Sequence, residues 1–280
     1  MQGKICLVSG ATSGIGKATA MEFAKVGASV VLLCRNEQKG YSVAKEITEA
    51  TNNQNVKVIA SDYRSLRSVR EASKQFVSLN RNLHVLVNNA GSFNLTHTLT
   101  EDGYETTFQV NYLSHFLLTN LLLDVLKRST PARIINVTSV GHYHGRITEP
   151  YWISRNGSGM SAYANSKLAL VLFTYEMARR LNGSGVTCNC LHPGTVATGI
   201  WSRPLGIFGF LASAVKPFMK SPEEASKSIL YVACSPDMQD VTGKYFDEMK
   251  EAQSSTQSYD INLASRLWEA SKQMCGIDKS

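Results

Sequence analysis

Short apolar runs alternate with longer amphipathic stretches along nearly the whole chain. The runs "ICLVSG" (5–10), "SVVLLCR" (29–35), "VKVIASD" (56–62), "LHVLVNNAG" (83–91), "ARIINVTS" (132–139) and "VTCNCLHPG" (186–194) are rich in Val, Ile and Leu. They lack the period-two alternation of a half-exposed strand, so they read as strands covered on both faces. Helical patterns separate them: "GIGKATAMEFAKVG" ending at Gly27, a helix through about residue 50, others over 65–80 and about 100–128, and "SAYANSKLALVLFTYEMARRL" over 161–181. A C-terminal helix is expected over about 256–275. Buried strands joined by helices are parallel, and right-handed crossovers give an α/β fold with a doubly wound, Rossmann-type parallel sheet. No linker, repeat or low-complexity segment interrupts residues 1–280, which read as a single domain.

In such a sheet, ligands bind where the carboxyl ends of the strands open into loops. The segments "SGATSGIG", "CRN", "SDY", "NNAG", "TSVGHYHG" and "HPGTVATG" all fall at those ends. The polar and glycine-rich stretches therefore converge on one rim.

Composition narrows the classes. At 280 residues, 43% apolar and 18% charged, the chain can bury a large core and is ordinary for a globular protein. A net charge of +7 favours phosphate-bearing ligands or an anionic surface. The cations are scattered among acids, with no basic arm and no RNA-binding aromatic signature, so nucleic acid is not expected as a partner. Cys6, Cys34, Cys188, Cys190, Cys234 and Cys275 lie mostly in apolar contexts without a CxxC pair, which points to reduced, buried thiols and a cytoplasmic setting. "MQGKICLVSG" enters a strand at once, so no signal peptide or N-terminal anchor is expected. No apolar run reaches the roughly 18 to 20 residues of a spanning helix.

Candidate chemistry sits in the loops. Gly10, Gly14 and Gly16 follow the first strand with GxxxGxG spacing. Missing Cβ atoms allow positive φ and a close backbone approach, and a helix N-terminus offers N–H groups to a phosphate. The same triplet would also serve a tight turn without a ligand. After the second strand an acid would read the adenosine 2′-hydroxyl of NAD, and a cation the 2′-phosphate of NADP. Cys34 and Arg35 stand there, so NADP(H) is favoured over NAD(H), the competing reading being a solvated strand-end arginine. Asp62 is placed to accept from an adenine amino group, Asn88 and Asn89 to brace strand ends, and small Ala90 and Gly91 to lie beside a cofactor. Each of these also suits a turn.

In the 161–181 helix, Tyr163 and Lys167 are neighbours one turn apart, on the side where Leu168, Leu172 and Met177 head inward. A cation beside a phenol favours the phenolate and lowers its pKa from about 10, making an acid–base catalyst of tyrosine. The plainer reading has Tyr163 filling the helix start and Lys167 snorkelling to water. His142 and His144 find no third ligand at a metal-site spacing, so no metal is expected; either is a candidate for the substrate wall. His192 reads as structural, and Asp124 and Glu176 as solvated charges.

Together, Gly10-Ala11-Thr12-Ser13-Gly14-Ile15-Gly16, Asn88-Asn89-Ala90-Gly91, Asn111, Ser139, Tyr163-x-x-x-Lys167 and Pro193-Gly194 resemble the short-chain dehydrogenase/reductase superfamily in order and spacing, over nearly the whole chain. "YANSKLALVLFTYEMARRL", "LHPGTVATGI" and "RLWEASKQMCG" are similar to its retinol dehydrogenase-like branch, which acts on retinal and similar lipophilic carbonyls and typically prefers NADP(H). Two features depart from the pattern: Ser9 replaces the usual Thr at the head of the glycine motif, keeping a hydroxyl, and the N-terminal anchoring helix of several branch members is not seen. The resemblance implies that Tyr163 is the general acid/base and that Lys167 lowers its pKa and holds the nicotinamide ribose. It implies that Ser139 binds the substrate oxygen and that Asn111 holds a water relaying protons through Lys167. The implied cofactor set is Gly10, Ser13, Gly14, Ile15, Gly16, Arg35, Asn36, Asp62, Tyr63, Asn89, Ala90, Gly91, Tyr163, Lys167, Pro193, Gly194, Val196 and Thr198.

Two segments are expected to shape the substrate. "HYHGRITEPYWISRNGSGM", an insert longer than the superfamily usually has before the tyrosine, offers Tyr151, Trp152 and Ile153 as a lipophilic wall. "TGIWSRPLGIFGFLASAVKPFMK" (198–220) lies where a helical lid would cover the cofactor. Trp201, Leu205, Ile207, Phe208, Phe210, Leu211, Phe218 and Met219 make it too apolar for a solvated loop, while Pro204 and Pro217 break it too soon to span a bilayer. It reads as a self-burying lid, as a peripheral membrane contact through 201–220 with Arg203, Lys216 and Lys220 at its rim, or as a homo-oligomer contact. The expected function is NADP(H)-dependent interconversion of lipophilic alcohols with aldehydes or ketones. The alternative is a cofactor-binding regulator on the same fold, against which the complete Asn111, Ser139, Tyr163, Lys167 set speaks.

Overall fold

The computed structural model describes residues 1–148, 158–196 and 220–277. The six apolar runs form β1 (Ile5–Ser9), β2 (Ser29–Cys34), β3 (Val56–Ala60), β4 (Val85–Asn88), β5 (Ala132–Val137) and β6 (Val186–His192). Two short strands, β7 (Tyr245–Asp247) and β8 (Lys250–Ala252), complete one sheet in the order β3-β2-β1-β4-β5-β6-β7-β8. All neighbouring pairs from β3 to β7 are parallel. The pair β7–β8 is antiparallel, an edge hairpin with three-residue arms too short to stand out in the hydrophobic pattern.

The helices are α1 (Gly14–Lys25), α2 (Glu37–Thr51), α3 (Leu66–Leu79), α4 (Thr106–Phe108), α5 (Ser114–Leu121), α6 (Leu123–Arg128), α7 (Gly159–Arg180), α8 (Pro222–Cys234) and α9 (Ile261–Met274). They cover both faces, which is why the strands carry apolar residues without alternation. One core joins Leu86, Phe116, Leu172, Phe173 and Trp268 on the side of α3, α5, α7 and α9. A second joins Phe23, Leu32, Val87 and Ile229 on the side of α1, α2 and α8. Leu168, Leu172 and Met177 of α7 are all fully buried, as their spacing predicts.

The expected long helix over 100–128 is instead segmented. A π-helical stretch, Gln109–Leu113, separates α4 from α5, and every one of its residues is buried. Gln109 donates to the Asp102 carboxylate and the Tyr63 carbonyl, and Asn111 to the Ser92 carbonyl and Ser166 Oγ, rather than to solvent, so the helical stripe that a sequence pattern assumes does not apply there. At the C-terminus, Thr256–Tyr259 is a separate 3-10 turn, and α9 starts only where the Asp260 side chain accepts from the Leu263 N–H. The strand order reverses around β1, which lies between β2 and β4, so a crevice opens above the carboxyl ends of β1 and β4.

Candidate active site

A cavity of about 1090 Å³ fills that crevice, walled by the converging loops that follow β1 to β6. Its floor is the glycine loop. Gly10 and Gly14 have φ of +66° and +54°, values that other residues rarely adopt. A methyl on Gly10 would lie 2.9 Å from Ala90 Cα, and one on Gly16 would lie 2.4 Å from the Gly10 carbonyl oxygen. Ser13 caps α1 without a side-chain hydrogen bond, and no acid occupies the first turn, so the leading N–H groups are left for an anion. These features fit a dinucleotide pyrophosphate.

Ser9, the departure from the family's threonine, carries a structural task. Its Oγ donates to the Val87 carbonyl at 3.2 Å and accepts from the N–H groups of Asn89 and Ala90, both at 2.9 Å. Asn89 Nδ2 returns a bond to the Ser9 carbonyl at 2.8 Å. The glycine loop is thereby stapled to the loop after β4. Asn88 braces the strand ends as expected, donating to Thr119 Oγ1 and Asn136 Oδ1.

At the other end of the cavity stand Arg35, Asn36, Asp62 and Tyr63. The Arg35 side chain is exposed and makes no ion pair among the described residues, leaving its charge available to a ligand. Asn36 is committed to capping α2, accepting from the Lys39 N–H at 2.8 Å. Asp62 differs from expectation. It is gripped by the Arg64 guanidinium, with Nη2 to Oδ2 at 2.6 Å, so an adenine amino group would have to share it. Burial opposes the Asp62 charge, but the Arg64 hydrogen bonds and the charges of Arg64 and Arg35 prevail and hold its pKa below the usual range. Tyr63 presents its ring edge to His115 and contributes buried wall rather than an accessible hydroxyl. Sequence reasoning missed Lys39, Arg64 and Phe93 in this cavity wall, since nothing in their local pattern marks them.

Ser139, Tyr163 and Lys167 all line the cavity. Lys167 is only 5% exposed and donates to the Val137 carbonyl at 3.0 Å, so it does not snorkel to water. It makes no salt bridge among the described residues, and burial lowers its pKa from 10.5 to about 8. Its nitrogen stands 5.8 Å from the centre of the Tyr163 ring. The expected depression of the Tyr163 pKa is absent from the protein alone: burial raises it, with the Ser139 hydroxyl pulling the other way. The desolvation that weakens the lysine's own charge is the reason, because a dry site disfavours phenolate and ammonium alike.

Asn111 lies beneath this group rather than in it. Its Oδ1 accepts from the Ser92 N–H at 2.7 Å, and its Nδ2 donates to the Ser92 carbonyl and to Ser166 Oγ, each at 3.0 Å. Pro193, Gly194 and Val196 line the cavity beside His192, whose pKa burial lowers. Thr198, the Tyr151, Trp152 and Ile153 wall, and the apolar segment through Met219, with Arg203 and Lys216, lie outside the described residues. Lys220 is described and pairs with Glu248 at 2.6 Å.

Two further expectations are corrected. His142 is buried, bonding the Ser139 carbonyl through Nδ1 at 2.7 Å and accepting from the Ser255 N–H through Nε2. It shapes the turn after β5, and neither it nor His144 walls the cavity. Glu176 is buried between Arg179 and Arg180 rather than solvated, while Asp124 is exposed as expected. Among the described residues no group of side chains could hold a metal, and no helix is long and apolar enough to cross a membrane. All six cysteines are free, and five are buried.

A parallel sheet with a glycine cradle at a helix N-terminus and a switch-point crevice defines a dinucleotide-binding protein. Residues 4–204 match the short chain dehydrogenase family, and the chain belongs to it. It is 43% identical to Retinol dehydrogenase 13 of Homo sapiens, over 99% of this chain and 86% of that protein. Among solved structures, an uncharacterised protein from Mycobacterium paratuberculosis superposes with a TM-score of 0.80 at 31% identity, covering 98% of this chain and 94% of that one. A short chain dehydrogenase from Burkholderia cenocepacia in complex with NADP gives a TM-score of 0.72 at 26% identity, covering 89% and 98%. The protein is thus an oxidoreductase acting between alcohol and carbonyl groups, with a cavity built for a nicotinamide dinucleotide.

Proposed function

We propose that the protein is an NADP(H)-dependent oxidoreductase that interconverts lipophilic alcohols with aldehydes or ketones of retinol and retinal type, the whole chain acting as one catalytic domain. One observation carries the reading: Lys167, buried and without a salt bridge among the described residues, shares a single cavity with Tyr163, Ser139 and the glycine cradle.

When bound, the cofactor supplies the hydride donor or acceptor. The glycine loop and the start of α1 hold its phosphates, and Lys167 offers N–H donors to its ribose. Ser139 Oγ donates to the substrate oxygen. Tyr163 gives that oxygen a proton during reduction and takes one back during oxidation. Its phenol must work about 2 to 3 pKa units below its ordinary value, roughly 3 to 4 kcal/mol of preferential phenolate stabilisation. Burial alone acts in the wrong direction, so the positive charges brought together in the loaded site, Lys167 among them, must supply that shift. Asn111 ties the 91–93 loop to α7, and a relay water would be held by its backbone, both side-chain N–H groups being taken.

Support for NADP(H) comes from the exposed Arg35 on the cavity wall and from the NADP complex of the Burkholderia relative. Support for a lipophilic substrate comes from exposed Leu99 and Val140 in the cavity wall, with Leu95 and Met160 nearby on the loop and helix start, and from the retinol dehydrogenase names of the relatives. The free thiols suit a reducing, cytoplasmic setting.

The test follows NADPH absorbance with retinal, medium-chain aldehydes and ketosteroids, beside the Tyr163→Phe variant. Turnover of at least one lipophilic carbonyl is expected, with Tyr163→Phe binding NADPH normally and losing about 10²- to 10⁴-fold in kcat. Retained turnover in that variant overturns Tyr163 as the proton donor.

A further inference from the structure

Two residues that handle no proton pack against the Tyr163 ring. Phe93, two positions after Gly91, meets it edge to face, with ring centres 5.5 Å apart and planes at 87°. Phe93 is 8% exposed and lines the same cavity. Against the Cε1 edge lies Gly141, in the turn after Ser139: a methyl there would stand 3.1 Å from Tyr163 Cε1 and 3.5 Å from Ser139 Oγ. Ring edge, glycine and serine hydroxyl are therefore packed around one point. Phe93 is also anchored to the helix that carries Tyr163. The Asn111 amide bonds both backbone groups of the adjacent Ser92 and also Ser166, whose hydroxyl donates to the Tyr163 carbonyl at 2.7 Å.

We propose that Phe93 is a positioning residue for Tyr163, pressing the phenol ring against Gly141 so that its hydroxyl stays beside Ser139 and bulk water stays off the ring. This rests on Tyr163 as the proton donor. A tyrosine near a helix start has free χ1 and χ2 rotation unless neighbours remove it, and a phenol that swings away from Ser139 cannot reach an oxygen bound there. An edge-to-face aromatic contact confers about a 2- to 10-fold preference for one arrangement. Among the described residues, the charged and hydrogen-bonding groups facing the phenol are Lys167 from α7 and Ser139 from the end of β5. Both survive a change at Phe93, so any movement of the phenol's titration reports water access and ring placement.

The experiment uses the full-length protein with Phe93→Leu, which keeps apolar bulk without a ring, and Phe93→Tyr, which restores the ring. Phe93→Met replaces the leucine variant if that one does not fold. Three quantities are measured: kcat for carbonyl reduction across pH, NADPH affinity, and tyrosinate absorbance against pH, taken as the difference from the same protein carrying Tyr163→Phe. For Phe93→Leu we expect kcat to fall about 3- to 10-fold with NADPH affinity within about twofold. Its Tyr163 titration should move to lower pH, and the alkaline loss of reduction should move with it. Phe93→Tyr should recover both. A leucine variant whose titration and alkaline limb match the parent overturns the proposal, as does a tyrosine variant no better than leucine. The titration needs no substrate, so a protein without turnover would sink the oxidoreductase reading and still leave Phe93 to be judged.

Discussion

Lys167 is buried and donates to the Val137 carbonyl, and that placement makes stability depend on pH. Its pKa of about 8 in the folded chain lies below the ordinary 10.5. Between those values the unfolded chain holds more protons, so stability rises with pH through that window, and the penalty of burying the charge is fully present below about pH 8. At about 1.4 kcal/mol per unit the penalty is about 3 kcal/mol. Lys167→Met should therefore abolish turnover yet stabilise the protein by about 1 to 3 kcal/mol at pH 7, the lower figure reflecting the partner lost by Val137 O. Thermal melts from pH 7 to 10.5 should show that gain shrinking; a constant gain would mean improved packing rather than a removed charge. The spacing of Tyr163 and Lys167 was legible because i and i+4 are neighbours on any helix. The contact of Phe93 with Tyr163 was not, because it depends on how a loop and a helix start meet across the crevice.

At the scale of elements, α9 does more than close the chain. Trp268 stacks on Phe173 at 5.8 Å and meets Phe116 edge-on at 5.0 Å, while the Arg180 guanidinium lies 4.3 Å from its ring. The helix thus locks α5 to α7, the element that carries Tyr163 and Lys167. Trp268→Ala should cost about 3 to 5 kcal/mol, measurable as a lower urea midpoint. A loss below about 1 kcal/mol would show that α9 is a loosely docked tail. The hydrophobic pattern found α9, but not that α7 would be its partner. It also read residues 100–128 as one helix, because periodicity cannot show that Gln109 and Asn111 would be buried with their amides bonded to other parts of the chain.

For the whole molecule, cofactor binding should couple to folding. At a hundredfold excess over Kd, a ligand bound only by the folded state adds about 2.7 kcal/mol, several degrees in Tm for a chain of this size. NADPH should give a larger shift than NADH at equal concentration, and Arg35→Ala should lower NADPH affinity about tenfold or more while sparing NADH. Equal shifts in the parent protein would remove the NADP preference and leave the nicotinamide site standing. The parallel sheet, the glycine loop and the Tyr163–Lys167 pair were readable in the chain because each is written in neighbouring residues or in a repeated alternation of apolar and amphipathic stretches. Folding alone decided that Asn111 would be tied to Ser92 and Ser166, that His142 would accept from the distant Ser255 N–H, and that burial would push the Tyr163 and Lys167 pKa values in opposite directions. Those outcomes depend on distances between segments far apart in sequence and on the exclusion of water, and no local pattern encodes either.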